Sequence, residues 1–151
     1  MLLVLLGLFV CWSAGGLVEN VCGSDVTTAL EESSDVVKKE LVAVIDAQLQ
    51  AFREGDFPRA YTFAAPGVQG MFPPGDFEKM VRTGYPLIAR SVSAEYGTAL
   101  DSGEDAAIAV RVTGADEKGT TAEYLYTLSK EKNGAWKITG VSEIKPGGIE
   151  A

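Results

Sequence analysis

The chain has 151 residues, a net charge of −8 and no histidine. That length suits one domain with one core. Its acidity, with lysine and arginine scattered except at Lys38-Lys39, excludes nucleic acid and anionic lipid as partners of the fold, since neither phosphate chemistry finds a basic stripe. Without histidine the commonest metal ligand and the commonest neutral-pH base are missing, and Cys11 and Cys22 show no zinc-type spacing, so neither a metal nor another cofactor is expected.

The run Leu2 to Val10, extended by Cys11-Trp12 and followed by Ser13-Ala14-Gly15-Gly16, has the form of a secretory h-region and cleavage region. It is shorter than the roughly 20 residues of a membrane-spanning helix. No Lys or Arg follows Met1, and valine precedes both cysteines, which excludes bacterial lipoprotein processing. Residues 1–16 are therefore read as a signal peptide of an exported (periplasmic or secreted) protein; the alternatives are an uncleaved membrane anchor or an organelle-targeting remnant. Residues 17–34 read as a linker and 146–151 as a C-terminal tail, around a domain at 35–145. Thr28 with Glu31 has capping-box spacing, and Ser34 or Asp35 is the alternative cap.

From Val37 the apolar positions Val37, Leu41, Val44, Ile45, Leu49 and Phe52 form one helical stripe. Gln48 lies in the middle of that stripe. A buried amide without partners costs about 1–3 kcal/mol, so Gln48 either reaches solvent or a backbone group, or it points into a cavity. Gly55 ends this helix and Asp56 begins a second one, with Pro58 in its first turn, which Pro66-Gly67 closes. Val68 to Phe72 reads as a brief strand or an irregular connection. A third helix is predicted from Phe77 to about Tyr85, with Phe77, Met80 and Val81 inward and Pro86 blocking its continuation.

The remainder alternates with period two. Val92, Ala94, Tyr96, Thr98 and Leu100 are expected to face inward, opposite Ser91, Ser93 and Glu95; Ile108, Val110 and Val112 oppose Ala107, Ala109 and Arg111. Ala122, Tyr124, Tyr126 and Leu128 follow, then an Asn133-Gly134 hairpin signal, then Trp136, Ile138 and Val141 to Ile144, with a bulge or bend at Gly140. Helices followed by a meander of about four strands make an α+β domain with helices on one face of an antiparallel sheet.

Ala51, Phe52, Asp56, Ala60, Tyr61, Pro66, Phe77, Met80, Val81 and Tyr85, with Tyr126, Leu128, Gly134, Trp136, Ile138, Gly140 and Val141, carry a resemblance over about Val36 to Ile144. The pattern resembles domain-of-unknown-function family 4864. It also resembles, more broadly, the nuclear-transport-factor-2-like (cystatin-like) α+β cone. The latter resemblance implies a long N-terminal helix and two short helices on a bent antiparallel sheet, with a cavity between them. That fold hosts isomerases, dehydratases and non-catalytic association domains, so it does not choose among activities.

Tyrosines fall on inward positions, but no carboxylate does: Glu95 and Glu123 alternate outward, while Asp46 and Glu54 lie off the helix stripe. An isomerase of the ketosteroid type needs such an acid beside its tyrosine. The reading is therefore a non-catalytic domain binding a small apolar ligand or a protein partner, with Gln48, Tyr61, Tyr85, Tyr126 and Trp136 as candidate ligand-binding residues and no catalytic residue assigned. The alternatives are an isomerase- or dehydratase-like enzyme with a tyrosine-lined pocket, and a homodimeric module packed through its outer sheet face. Arg90 is either a solvated cation or faces an anionic group. Membrane contact is expected only through an uncleaved N-terminus.

Overall fold

The computed structural model describes residues 29–145. Residues 1–16, read above as a signal peptide, Cys11, Cys22, Thr28 and residues 146–151 lie outside these described residues. Helix α1 (Asp35–Arg53) starts where Ser34 Oγ accepts the Val37 N–H at 3.2 Å, so Ser34 is the cap. It buries Leu41, Ile45 and Leu49 completely, together with Ala51 and Phe52. After Gly55 the Asp56 carboxylate accepts the Arg59 N–H and opens α2 (Phe57–Tyr61), which has Pro58 in its first turn. Then come α3 (Pro66–Met71), α4 (Pro74–Gly84) and the single turn α5 (Pro86–Ala89).

Two expectations for this half are corrected. Pro66-Gly67 does not close a helix but opens one, because proline's fixed φ and missing N–H suit a first helical turn. Val68 to Phe72, expected as strand or irregular chain, is thus largely the helix α3.

The sheet runs β1 (Glu31–Glu32), β2 (Ser91–Asp101), β3 (Asp105–Gly114), β4 (Thr121–Lys130) and β5 (Trp136–Ile144) in sequence order, every neighbour antiparallel. It has five strands rather than about four. The extra one lies inside the expected linker, where Glu31 pairs with Asp101 and Glu32 with Leu100. Two exposed glutamates carry no hydrophobic period, so only backbone pairing marks this strand.

The β3 and β4 alternations hold: Ala106, Ile108, Val110 and Val112 are buried, as are Tyr124, Tyr126 and Leu128. Strand β2 departs from its expected alternation. Extra residues between Ser91 and Ser93, and between Tyr96 and Ala99, shift its register against β3. Each such bulge reverses the side-chain parity beyond it. Ser91 and Ala99 are therefore buried, while Val92 is 56% exposed and Thr98 also faces out. In β5 the register shift falls where Gly140 was expected to bend the strand: Gly140 pairs with Thr127 and Ile138 with Leu128, which leaves Thr139 unpaired.

The two halves are joined at the free edge of β5. The Ile138 N–H donates to Phe63 O, and the Ala65 N–H donates to Ile138 O, at 2.9 and 2.8 Å. The segment after α2 thus covers an edge that would otherwise be open to pairing. Helix α1 crosses the inner face, and the core forms between its apolar stripe and the inward residues of β3 to β5.

Candidate functional site

Between α1, α3 and α4 on one side and β4 and β5 on the other lies a cavity of about 300 Å³. Val68, Met71 and Phe72 come from α3 and its end. Phe77, Met80, Val81 and Tyr85 come from α4 and its end, and Gln48 and Phe52 from α1. The sheet contributes Tyr126, and the β5 bulge turns Ile138 to Val141 along the opposite wall. Met71, 69% exposed, and the exposed Thr139 mark the mouth, whereas Gln48, Tyr126 and Ile138 sit at the buried end.

Each polar wall group has a definite state. Gln48 is 4% exposed, and its Nε2 donates to the Ala60 carbonyl at 3.0 Å. The backbone-bonded alternative therefore holds, and the same side chain also lines the cavity. Tyr85 Oη donates to Val141 O at 2.8 Å, which ties the end of α4 to the strand beyond the bulge. Tyr126 is fully buried, and its hydroxyl has no hydrogen-bond partner among the described residues. Burial pushes its phenol far above the ordinary tyrosine range, with Tyr96, Tyr124 and Tyr85 adding to the shift. It therefore stays neutral. Burial also raises Tyr124, and burial followed by the Asp46 carboxylate raises Tyr96, whose Oη approaches Asp46 Oδ1 at 3.4 Å.

Gln48, Tyr85 and Tyr126 are thus brought together, and the other two sequence candidates are not. Tyr61 Oη lies 3.0 Å from Gln69 O and 2.8 Å from Phe72 O, while Gln69 Nε2 donates to Tyr61 O at 2.9 Å. Its single hydroxyl proton serves either carbonyl, and the result is to pin α3 in place behind the cavity wall. Trp136 lies under the first half of α1, where its Nε1 donates to Glu40 Oε1 at 3.1 Å and Lys130 stands over its ring.

The residues that sequence reasoning missed are Val68, Met71 and Phe72, which share the unassigned stretch after Pro66. Gly140 carries only the expectation of a bulge or bend, and nothing in the sequence singles out Thr139. Among the described residues no Asp, Glu, Lys, Arg or Cys lines the cavity. Among the described residues no group of three His, Cys, Asp or Glu side chains is placed to hold a metal, and no helix is long and apolar enough to cross a membrane. The walls can therefore exclude water and offer neutral hydrogen bonds, chiefly from a phenol and an amide.

No curated protein matches the sequence. The profile of a domain of unknown function, DUF4864, matches residues 34–151, which takes in all four long strands, the five helices and every wall of the cavity described above. The chain belongs to the DUF4864 family.

Proposed function

We propose that this domain is a non-catalytic binding module that takes a small, uncharged, mainly apolar molecule into the cleft between α1 and the β4–β5 face. The observation that carries the reading is the composition of the cleft: apolar and aromatic walls with Gln48 and the buried Tyr126 among them. Ligand sites typically join apolar walls to a few fixed polar groups, and about 300 Å³ stands at the small end of their range. At roughly 30 Å³ per water, that space corresponds to about ten waters, or a ligand of similar atom count. A carboxylate ligand would meet no cation in the walls, and burying an unpaired charge is costly. Neutrality follows.

A nuclear-transport-factor-2-like cone fits this reading, since such a cavity forms where a long helix lies across a sheet bent by bulges, and bulges interrupt both β2 and β5. An enzyme of the isomerase type would need a carboxylate in the wall, and among the described residues the lining holds none. The homodimer reading ranks lower for a specific reason. Arg111 pairs with Glu123 at 2.8 Å and lies 3.7 Å from Glu95 on the outer sheet face, a charged seam that sheet-to-sheet packing would have to desolvate. The apolar run at residues 2–10 supports export.

Native mass spectrometry of protein expressed with its own N-terminus tests these points together, because it reports N-terminal processing, oligomeric state and any retained ligand. A neutral naphthylamine probe should bind the purified domain and be displaced from a Val68→Trp variant, whose indole would fill the cleft. Absence of a retained ligand, together with probe binding that Val68→Trp leaves unchanged, would overturn the proposal.

A further inference from the structure

At the C-terminal end of α1, sharing only Phe52 with the cleft, the surface forms a groove of about 470 Å³ lined by Phe52, Phe57, Ala89 and three arginines, Arg53, Arg82 and Arg90. The chain has only five arginines against a net charge of −8, so three in one groove is a local reversal of sign. Glu54 also lines it, which leaves a local balance of three positive charges against one. That carboxylate is already committed: Gln50 Nε2 donates to it at 2.7 Å and Arg59 lies 3.0 Å away, contacts that hold its pKa below the ordinary range.

The arginines differ in what they hold. Arg82 is shared, bonded to Glu78 at 2.8 Å and standing 4.4 Å over the Phe57 ring. Arg53 and Arg90 have no carboxylate within 4.0 Å among the described residues. Arg53 is nevertheless fixed: its Nε donates to the carbonyl and hydroxyl of the buried Ser91 at 3.1 and 3.2 Å, and its Nη1 to Gln50 at 3.3 Å. Its Nη2 donors have no partner among the described residues. A basic residue in the last turn of a helix also offsets the negative end of the dipole, which accounts for Arg53 and equally for Arg82 in the last turn of α4, whereas Arg90 follows only the single turn α5.

We infer that this groove is a second binding site, specific for an oxyanion, either a carboxylate or a phosphate, carried on a small molecule. The guanidinium of Arg53, fixed through Nε and Nη1, offers its Nη2 donors, Arg90 adds a second positive charge, and the apolar floor receives the attached carbon skeleton.

The test is a titration of the ¹⁵N-labelled domain with sodium phosphate and, separately, sodium succinate, at ionic strength held constant with chloride. Saturable shifts confined to the Arg53 side chain and the backbone around Gly55, Arg90 and Ser91 are expected, and whichever salt gives them identifies the source of the anion. Arg90→Gln, whose side chain bonds to nothing in the described chain, should weaken binding at least fivefold, and Arg53→Gln with Arg90→Gln should abolish it; Arg111→Gln, on the outer sheet face, should not change it. Shifts reproduced by chloride alone, or affinity retained in the double variant while its spectrum shows it folded, would mean surface charge screening only and would overturn the site.

Discussion

Replacing Tyr126 by phenylalanine removes one buried oxygen from a residue of the cleft wall. In the free protein that oxygen is fully buried without a partner. An unsatisfied buried hydroxyl costs about 1–3 kcal/mol, whereas the packing lost with one atom is a few contacts of about 0.1–0.2 kcal/mol each. The balance favours Tyr126→Phe by about 1 kcal/mol. With an unfolding entropy of about 2.1 cal/mol/K per residue, a domain of this size should then gain roughly 4 °C in Tm. Scanning calorimetry of wild type and variant, each stripped of ligand by reversible unfolding, reads this directly. The same variant should bind a neutral ligand bearing a carbonyl oxygen less tightly, while an alkane of matching shape is unaffected. A stabilised domain with weakened recognition is the pattern expected where a polar group is kept for function at a cost in stability. A fall of 4 °C or more would refute the reasoning, because it would show that the hydroxyl has a partner in the free state.

Three further outcomes are expected. The raised Tyr126 phenol makes stability fall at alkaline pH: above about pH 10 the unfolded chain loses this proton and the folded one keeps it, so stability drops by up to about 1.4 kcal/mol per pH unit, with no such dependence below pH 10. Urea titrations from pH 9 to 11 should show a shallower decline in Tyr126→Phe. Gly114→Ala should cost at most about 1 kcal/mol, because the Leu87 Cδ2 that a Cβ there would overlap is the end of a flexible, half-buried side chain that can turn away; a larger loss in a thermal melt would show that Leu87 is held in place. Ser34→Ala should cost about 1 kcal/mol through the lost cap on α1, measured as a lower urea midpoint with an unchanged slope.

The sequence made the α1 stripe and the β3 and β4 faces legible because one face of each is buried and the other is not, so burial and periodicity coincide. It misled on β2 for a physical reason. Val92 and Thr98 follow the apolar alternation in the sequence, but each bulge adds a residue that no period-two pattern anticipates, and Ser91 and Ala99 take the inward positions instead. Ser91 is where this matters most, because an outward serine could not have held Arg53. Trp136 was misplaced differently: its inward face was correct, but its position along the strand puts it under Glu40, at the other end of α1 from Phe52.

The wall that completes the cleft was the least legible part, and α3 shows why. Pro66-Gly67-Val68-Gln69-Gly70-Met71 contains a proline and two glycines in six residues, a composition that opposes helix on intrinsic propensity. Nor does burial support it, since no residue of α3 is fully buried. Contacts from outside the helix hold it instead: Tyr61 Oη against the Gln69 and Phe72 carbonyls, Gln69 Nε2 against the Tyr61 carbonyl, and the preceding Ala65 N–H on Ile138. A helix stabilised mainly by two side chains at one end, with Met71 exposed at the mouth, belongs among the less stable parts of the fold. Tyr61 is therefore tied to the cleft after all, as the residue that holds its wall. Tyr61→Phe should leave the core intact yet loosen α3, with faster amide exchange at Val68, Gln69 and Phe72 than in wild type. Unchanged exchange at those three amides would show that α3 stands without the Tyr61 hydroxyl.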